Sequence, residues 1–382
     1  MGMTVERPAI LKGLDDVYVK ESKLCLVDGI KGRLLYVGYD IRDLAVHSSF
    51  EETCYLLWNL RLPLRSDLET TRRAIGEERK VSPEVFALLR KLPKTTAPID
   101  ALRTGVSALA AFDPELGDQS RDANLRKALR VTAKTATLMA AIHRIREGKR
   151  PIPPDPNRGH AEDLLRMTTG KEPDAQMVKI MDVALILHAD HSLNASTFGA
   201  TVAASTLADL YSTVVAGIAT LKGPLHGGAN EQALKTLLKI GSPANAETFV
   251  ARALAQREKI PGFGHRVYKT YDPRALILRD YAKALAERAG DMTLFDTAIA
   301  VQDIMLRELA ERRIYPNVDF YSGVTYHLMG LPSDVFTPIF AVSRVSGWTA
   351  HVIEYWQSNR ILRPLDYYIG PTDASYVPID ER

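Results

Sequence analysis

The stretch ANLRKALRVTAKTATLMAAIHRIRE, residues 123–147, decides the fold class. It contains no proline or glycine, and Leu125, Leu129, Ala133 and Thr137 recur at every fourth position along one stripe, the spacing of a long packed helix. Outward from it, helical spacing dominates. Ser66 with Glu69 has the pattern of a capping box, and Ser82 before Pro83 places a cap ahead of a first-turn proline. Only one region alternates like strands. There Lys23-Leu24-Cys25-Leu26-Val27 and Arg33-Leu34-Leu35-Tyr36-Val37 flank Asp28-Gly29, the signal of a tight hairpin. The chain is therefore expected to be all-α with a small N-terminal β-hairpin.

The run Lys149-Arg150-Pro151-Ile152-Pro153-Pro154-Asp155-Pro156 cannot be helical, because its prolines remove donors and restrict their neighbours. An apolar helix is expected over 197–221. After Lys222-Gly223-Pro224 a new set of helices continues to 323, which suggests a smaller second domain. A final helix starts near Ser333, and an extended tail from Arg363 onward is expected to reach a neighbouring subunit.

Composition narrows the function. With 382 residues the chain has room for two or three domains, and 46% apolar with 25% charged residues excludes disorder and fibrous repeats. The 49 Lys and Arg against 46 Asp and Glu give a net charge of +3, too little for nucleic-acid binding by bulk charge. Two cysteines, Cys25 and Cys54, make no disulfide framework or Cys/His metal cluster, which fits a reducing cytoplasm. The start Met1-Gly2-Met3-Thr4-Val5-Glu6-Arg7-Pro8 lacks an apolar signal core, and no apolar run approaches the roughly 18 residues of a membrane span. Neither export nor a membrane is expected.

Unusual polar residues concentrate at Gly- or Pro-marked helix boundaries, where backbone donors remain free. His188-Ala189-Asp190-His191, Gly223-Pro224-Leu225-His226-Gly227-Gly228, Pro261-Gly262-Phe263-Gly264-His265-Arg266, Asp272-Pro273-Arg274 and Tyr315-Pro316-Asn317-Val318-Asp319 hold four of the nine histidines. His226, after Gly223-Pro224, is read as lying in a helix's first turn, where the dipole favours a neutral ring able to donate a hydrogen bond to an enolate. Asp319 reads as a first-turn residue too, its carboxylate kept ionised by the same field and able to act as a general base. Taken singly, each could merely cap or complement its helix. Together with the glycines beside them they read as a site.

His188 and His191, with Asp190 between them, leave a metal site as one reading. No HExxH or further ligand at standard spacing accompanies them, and a structural role suits His188 better while His191 suits a ligand contact. Arg274 at a helix start is placed to hold a carboxylate or phosphate. Arg344 and His351 lie two turns apart on one helix face, and Arg360 and Arg363 are read as closing that helix. Arg344 is set among apolar residues, where solvation does not account for it, whereas Arg360 could complement the helix dipole. Lys222, Arg266 and Lys269 form a basic group beside the Pro261–Gly264 turn that could hold cofactor phosphates, although neither a P-loop nor a dinucleotide fingerprint is present.

These segments, with Asn194-Ala195-Ser196-Thr197, Lys222-Gly223-Pro224-Leu225-His226-Gly227-Gly228-Ala229-Asn230 and Gly262-Phe263-Gly264-His265-Arg266-Val267-Tyr268-Lys269, closely resemble citrate synthases of the compact bacterial and archaeal type. The resemblance runs from Val27-Asp28-Gly29-Ile30 to Arg363-Pro364. It implies a two-domain helical homodimer, with a large domain over 1–222 and 324–382 and a small one over 223–323 that closes on the substrates. The implied reaction condenses acetyl-CoA with oxaloacetate and hydrolyses the thioester, with no permanently bound cofactor and no metal. By matching motif, Asp319 would take the methyl proton, His226 would hydrogen-bond the thioester oxygen, and His265 would polarise the ketone. His191, Arg274 and Arg344 would hold oxaloacetate, with Arg363 supplied by the partner subunit, and Lys222, Arg266 and Lys269 would contact CoA. One departure is Tyr36-Val37-Gly38, with valine where many relatives carry arginine. The related 2-methylcitrate synthases, which use propionyl-CoA, are the nearest rival, although Leu225 and Arg266 in their motifs look more like citrate synthases. A non-catalytic CoA- or carboxylate-binding protein is a further alternative.

Overall fold

The computed structural model describes residues 8–382, so the start read above lies almost wholly outside the described residues. Strands β1 (Cys25–Asp28), β2 (Arg33–Tyr36) and β3 (Tyr39–Asp40) form one antiparallel sheet, with Cys25 opposite Tyr36 and Leu35 opposite Asp40. The hairpin is present, but Asp28-Gly29 is not its whole turn. Four residues, Gly29 to Gly32, link the strands, and Asp28 Oδ1 accepts from the N–H groups of Ile30 and Lys31 at 3.1 and 2.9 Å.

Everything after the sheet is helical or irregular. The first half comprises α1 (Ile41–His47), α2 (Phe50–Asn59), α3 (Arg65–Glu78), α4 (Pro83–Lys91), α5 (Pro98–Ala110), α6 (Arg121–Arg146), α7 (His160–Thr169) and α8 (Ala175–His188). It continues with α9 (Ala195–Ser205), α10 (Leu210–Leu221), α11 (Ala229–Ile240), α12 (Ala246–Ala255), α13 (Pro273–Ala289), α14 (Thr293–Glu308), α15 (Val318–Leu328) and α16 (Phe336–Trp356).

The long helix over 123–147 is α6, and the Pro-rich run after it is a loop. Leu125 and Leu129 of its stripe stay only half-buried in the single chain, while Ala133 and Thr137 are buried. Ser82 does cap α4. The capping box at Ser66 and Glu69 is absent. The cap of helix α3 lies two residues earlier, at Leu64, and Asp67 Oδ2 instead accepts from Leu64 N–H at 3.1 Å. The helix expected over 197–221 is two helices. Leu207 takes a left-handed φ of 61°, and Asp209 restarts the chain by accepting from Ser212 N–H at 3.0 Å. The final helix ends at Trp356, so Arg360 and Arg363 lie beyond it in an exposed tail rather than closing it.

Helix α16 is the axis of the core. It is buried on nearly every side, as a helix apolar all round must be, and packs against α2, α6, α8, α9 and α10. Helices α11 to α15 pack mainly on one another, through α13 on α15, α11 on α15 and α12 on α14. They touch the rest through α1 and α8, which meet α13, and through α16, which meets α11. The loops at that junction carry the polar motifs. Among the described residues no helix is long and apolar enough to cross a membrane.

Candidate active site

His226 sits in the turn before α11, not in its first turn, since Gly228 is the cap residue. Its environment is set by α9, whose start is capped by Asn194 through the N–H groups of Ser196 and Thr197. Ser196 N–H also donates to His226 Nε2 at 3.3 Å, and Ser196 Oγ lies 2.8 Å from the same nitrogen. A backbone amide can only donate, so Nε2 must accept and the ring proton must reside on Nδ1. Burial, joined by the Arg344 charge, lowers the pKa to about 4. The neutral ring expected from the helix dipole is therefore found, but desolvation and the Arg344 charge produce it.

His265 is held in the same way. The N–H groups of Val267 and Tyr268 donate to its Nδ1 at 2.9 and 3.0 Å, leaving the proton on Nε2. Burial first, then Arg274, lowers its pKa to about 4. The loop carrying it is tied to the segment before α15. Gly264 N–H donates to Tyr315 O at 2.9 Å, Asn317 N–H to Gly262 O at 2.9 Å and Asn317 Nδ2 to Gly264 O at 2.9 Å. Asn317 also caps α15 by accepting from Asp319 N–H at 3.0 Å. One asparagine thus sets the relative position of the His265 loop and Asp319.

Asp319 corrects one expectation. Its Oδ1 is buried without a hydrogen-bond partner, and burial raises the pKa to about 6 against the lowering pull of Arg274 and Arg344. The loss of water outweighs the helix N-terminus, whose effect is typically below about 1 kcal/mol.

Arg274, buried at the start of α13, forms a two-bond ion pair with Asp272 at 3.0 and 2.8 Å, and Asp272 Oδ2 accepts from Val318 N–H at 3.2 Å. Arg344 is different. It donates Nε–H to His188 O at 2.6 Å and stacks over Phe340 at 4.7 Å, but among the described residues no carboxylate forms an ion pair with it. Burial lowers its pKa to about 10 although Asp190 opposes the shift. A buried guanidinium without an ion-pair partner is strongly disfavoured unless an anion joins it. His191 completes the cluster. Its ring meets His265 at 5.2 Å and Tyr268 at 5.5 Å, and its Nε2 lies 3.3 Å from the Tyr268 hydroxyl. Burial and then the charges of Arg274 and Arg344 hold its pKa well below the usual imidazole range.

His226, His265, His191, Asp319, Arg274 and Arg344 thus share one electrostatic environment, though no hydrogen bond joins any two of His226, His265 and Asp319. In the basic group, Lys269 Nζ donates to Arg266 O at 3.1 Å. Lys222 pairs with Asp100 at 2.8 Å and Arg266 pairs with Asp15 at 3.1 Å. Arg363 lies in the exposed tail. His188 turns away from His191, its Nδ1 lying 2.7 Å from Ala184 O, and among the described residues no three His, Cys, Asp or Glu side chains converge as metal ligands.

Several contributors escaped sequence reasoning. Asn317 carried a signal, since Asn before Val318-Asp319 is an N-cap pattern. Ser196 carried none, because its partner is thirty residues away. Asp190 is the buried partner of His351 Nε2 at 3.0 Å, and Lys20 Nζ contacts His351 Nδ1 at 2.9 Å.

Two neutral imidazoles, an elevated carboxyl and an unpaired buried guanidinium define an acid–base enzyme for a small anionic substrate. A family model described as citrate synthase, C-terminal domain, matches residues 13–365. The chain belongs to the citrate synthase family. It is 45% identical to citrate synthase 2 of Bacillus subtilis, over 97% of this chain and 99% of that protein. It is also 40% identical to a 2-methylcitrate synthase of Mycobacterium tuberculosis, over 96% and 92%. Among solved structures, citrate synthase from Pyrobaculum aerophilum superposes with a TM-score of 0.93 at 43% identity, covering 98% of this chain and 95% of that one. The ternary complex of Thermoplasma acidophilum citrate synthase with carboxymethyl coenzyme A and oxaloacetate gives a TM-score of 0.93 at 35% identity, covering 98% and 100%.

Proposed function

We propose that this chain condenses acetyl-CoA with oxaloacetate and hydrolyses the resulting thioester to citrate and CoA. One observation carries the reading: backbone amides fix the tautomers of two buried, neutral imidazoles, leaving their N–H protons on His226 Nδ1 and His265 Nε2. Asp319 takes a proton from the acetyl methyl group while His226 Nδ1–H stabilises the enol oxygen. The enol carbon attacks the oxaloacetate ketone, whose oxygen is polarised and then protonated by His265 Nε2–H. Water cleaves the citryl thioester, releasing CoA as its thiol. Arg274, Arg344 and His191 bind the oxaloacetate carboxylates, Arg344 gaining the anionic partner it lacks within the fold.

No permanently bound cofactor is required, and acetyl-CoA is a co-substrate. Lys222, Arg266 and Lys269 contact CoA as parts of a site that forms when residues 223–323, acting as a small domain, close on the large domain of 1–222 and 324–382. The enzyme works in the cytoplasm as a homodimer, with Arg363 entering the partner's site. The half-exposed Leu125 and Leu129 and the exposed Leu365, Tyr368 and Ile369 of the tail support a partner there.

The 40% identity to a 2-methylcitrate synthase keeps propionyl-CoA as a second reading. One methylene is worth about 1–3 kcal/mol in a pocket. Thiol release with oxaloacetate and either acyl-CoA tests the choice: a higher kcat/KM for acetyl-CoA is expected, and a higher value for propionyl-CoA would reassign the substrate.

A further inference from the structure

The contacts of the Asp190–His351 pair run from the N-terminal segment to the residues read as holding oxaloacetate. His351 is buried on α16, two turns after Arg344. Its Nε2 lies 3.0 and 3.2 Å from the two carboxylate oxygens of Asp190, and its Nδ1 lies 2.9 Å from Lys20 Nζ. An ammonium can only donate, so Nδ1 accepts and the ring proton sits on Nε2, where it is given to Asp190. Lys20 is fixed in turn by Glu354 at 2.9 Å, whose other oxygen accepts from Lys23 N–H at 2.7 Å.

Asp190 belongs to the turn that meets both substrate-binding candidates. His191 follows it in sequence, and Arg344 donates to His188 O at 2.6 Å. Its backbone is clamped by one hydroxyl: Asp190 N–H donates to Tyr36 Oη at 3.1 Å, and Asp190 O accepts from the same group at 2.8 Å. A Cβ on Gly347 of α16 would collide with Ala189 O and Asp190 Oδ1, so helix and turn are in direct contact. Burial disfavours the Asp190 carboxylate, and His351 and Arg344 outweigh it, holding the group below the usual carboxylate range. A carboxylate whose charge reaches Arg344 is thus committed to His351 instead.

We propose that His351 is a positioning residue for the oxaloacetate site, holding the Asp190 carboxylate off Arg344 so that the guanidinium is free for a substrate carboxylate. The inference rests on the functional reading above. Without the imidazole, a buried and ionised Asp190 loses its donor, and Arg344 is the buried cation left to pair with it. An arginine so occupied nine times in ten binds substrate about tenfold more weakly. Removing the Asp190 charge as well cancels that effect, which a loss of packing alone would not do.

The test combines calorimetric binding of oxaloacetate to the full-length protein with thiol release from acetyl-CoA. His351→Leu should weaken oxaloacetate binding and raise its KM by about tenfold, with kcat at saturation within about twofold of the parent. His351→Gln, which keeps one donor and one acceptor, should bind within about threefold of the parent, as should the double variant His351→Leu/Asp190→Asn. Lys20→Met, in the segment before the sheet, should weaken binding by about threefold. Unchanged affinity in His351→Leu or in Lys20→Met, a loss confined to kcat, or a double variant as weak as His351→Leu would each overturn the proposal. Binding needs no turnover, so a parent that binds oxaloacetate without releasing thiol would contradict the functional reading while the affinity comparison still decides this one.

Discussion

The backbone N–H of Ser196 donates to Nε2 of His226 across 3.3 Å, and this bond decides which proton the imidazole can offer. Replacing His226 with Gln should lower kcat by about 10²–10³-fold, the cost of losing an oxyanion donor, with oxaloacetate affinity retained. Ser196→Ala keeps the backbone N–H and loses the hydroxyl contacts to His226, Trp348 and Asn194. Its kcat should fall by only about three- to tenfold. Equal losses in the two variants, measured by thiol release, would show that the backbone bond is not what matters.

Asp319 sets the acid limb of the pH profile. With its pKa raised to about 6 and both imidazoles near 4, kcat/KM should fall about tenfold per pH unit below 6. The same shift is a stability statement. A carboxyl whose folded pKa lies above its unfolded value stabilises the fold fully below about 4, and this contribution is lost as pH rises through about 6. Asp319→Asn should therefore be more stable than the parent at pH 8, by at most about 3 kcal/mol, and the gap should close near pH 4. Denaturant midpoints across that range check the sign, and a variant less stable at pH 8 would refute it.

Gly262 holds φ at 87°, and a Cβ there would meet Phe320 at 2.8 Å. Gly262→Ala combines left-handed strain with a clash against α15, so a loss of about 2–3 kcal/mol in unfolding free energy is expected. Because the same segment ties His265 to Asn317, kcat should fall with it. Full activity at a lowered midpoint would separate the packing from the chemistry.

Val37 adopts φ of 50°, a conformation that a β-branched side chain resists. Val37→Asn should raise stability by about 0.5–1 kcal/mol, since asparagine tolerates the left-handed region at lower cost. A lower melting temperature would mean that the partial burial of Val37 outweighs its backbone strain.

What the sequence revealed follows from the range of the forces involved. The hairpin, the α6 helix, the Asp272-Pro273-Arg274 start of α13 and the Pro-rich loop rest on local sterics and hydrogen bonds, and all were legible. The break at Leu207 was not, because no proline or glycine marks it and the apolar pattern runs on through 214–221. The third strand, two residues long, is too short for alternation to register. Asp319 was legible as a site residue, but its pKa shift was not. Burial comes from elements distant in sequence, and desolvation reverses what the local helix dipole alone would give. The Asp190–His351 pair lay in view as two motifs 161 residues apart, and only packing joins them.

Thiol release from acetyl-CoA and oxaloacetate by Asp319→Asn, alongside calorimetric binding of oxaloacetate, tests the central assignment most directly. The expected result is a rate about 10²–10⁴-fold below the parent with oxaloacetate bound as tightly. A variant that releases thiol at the parent rate while binding oxaloacetate normally would contradict Asp319 as the base.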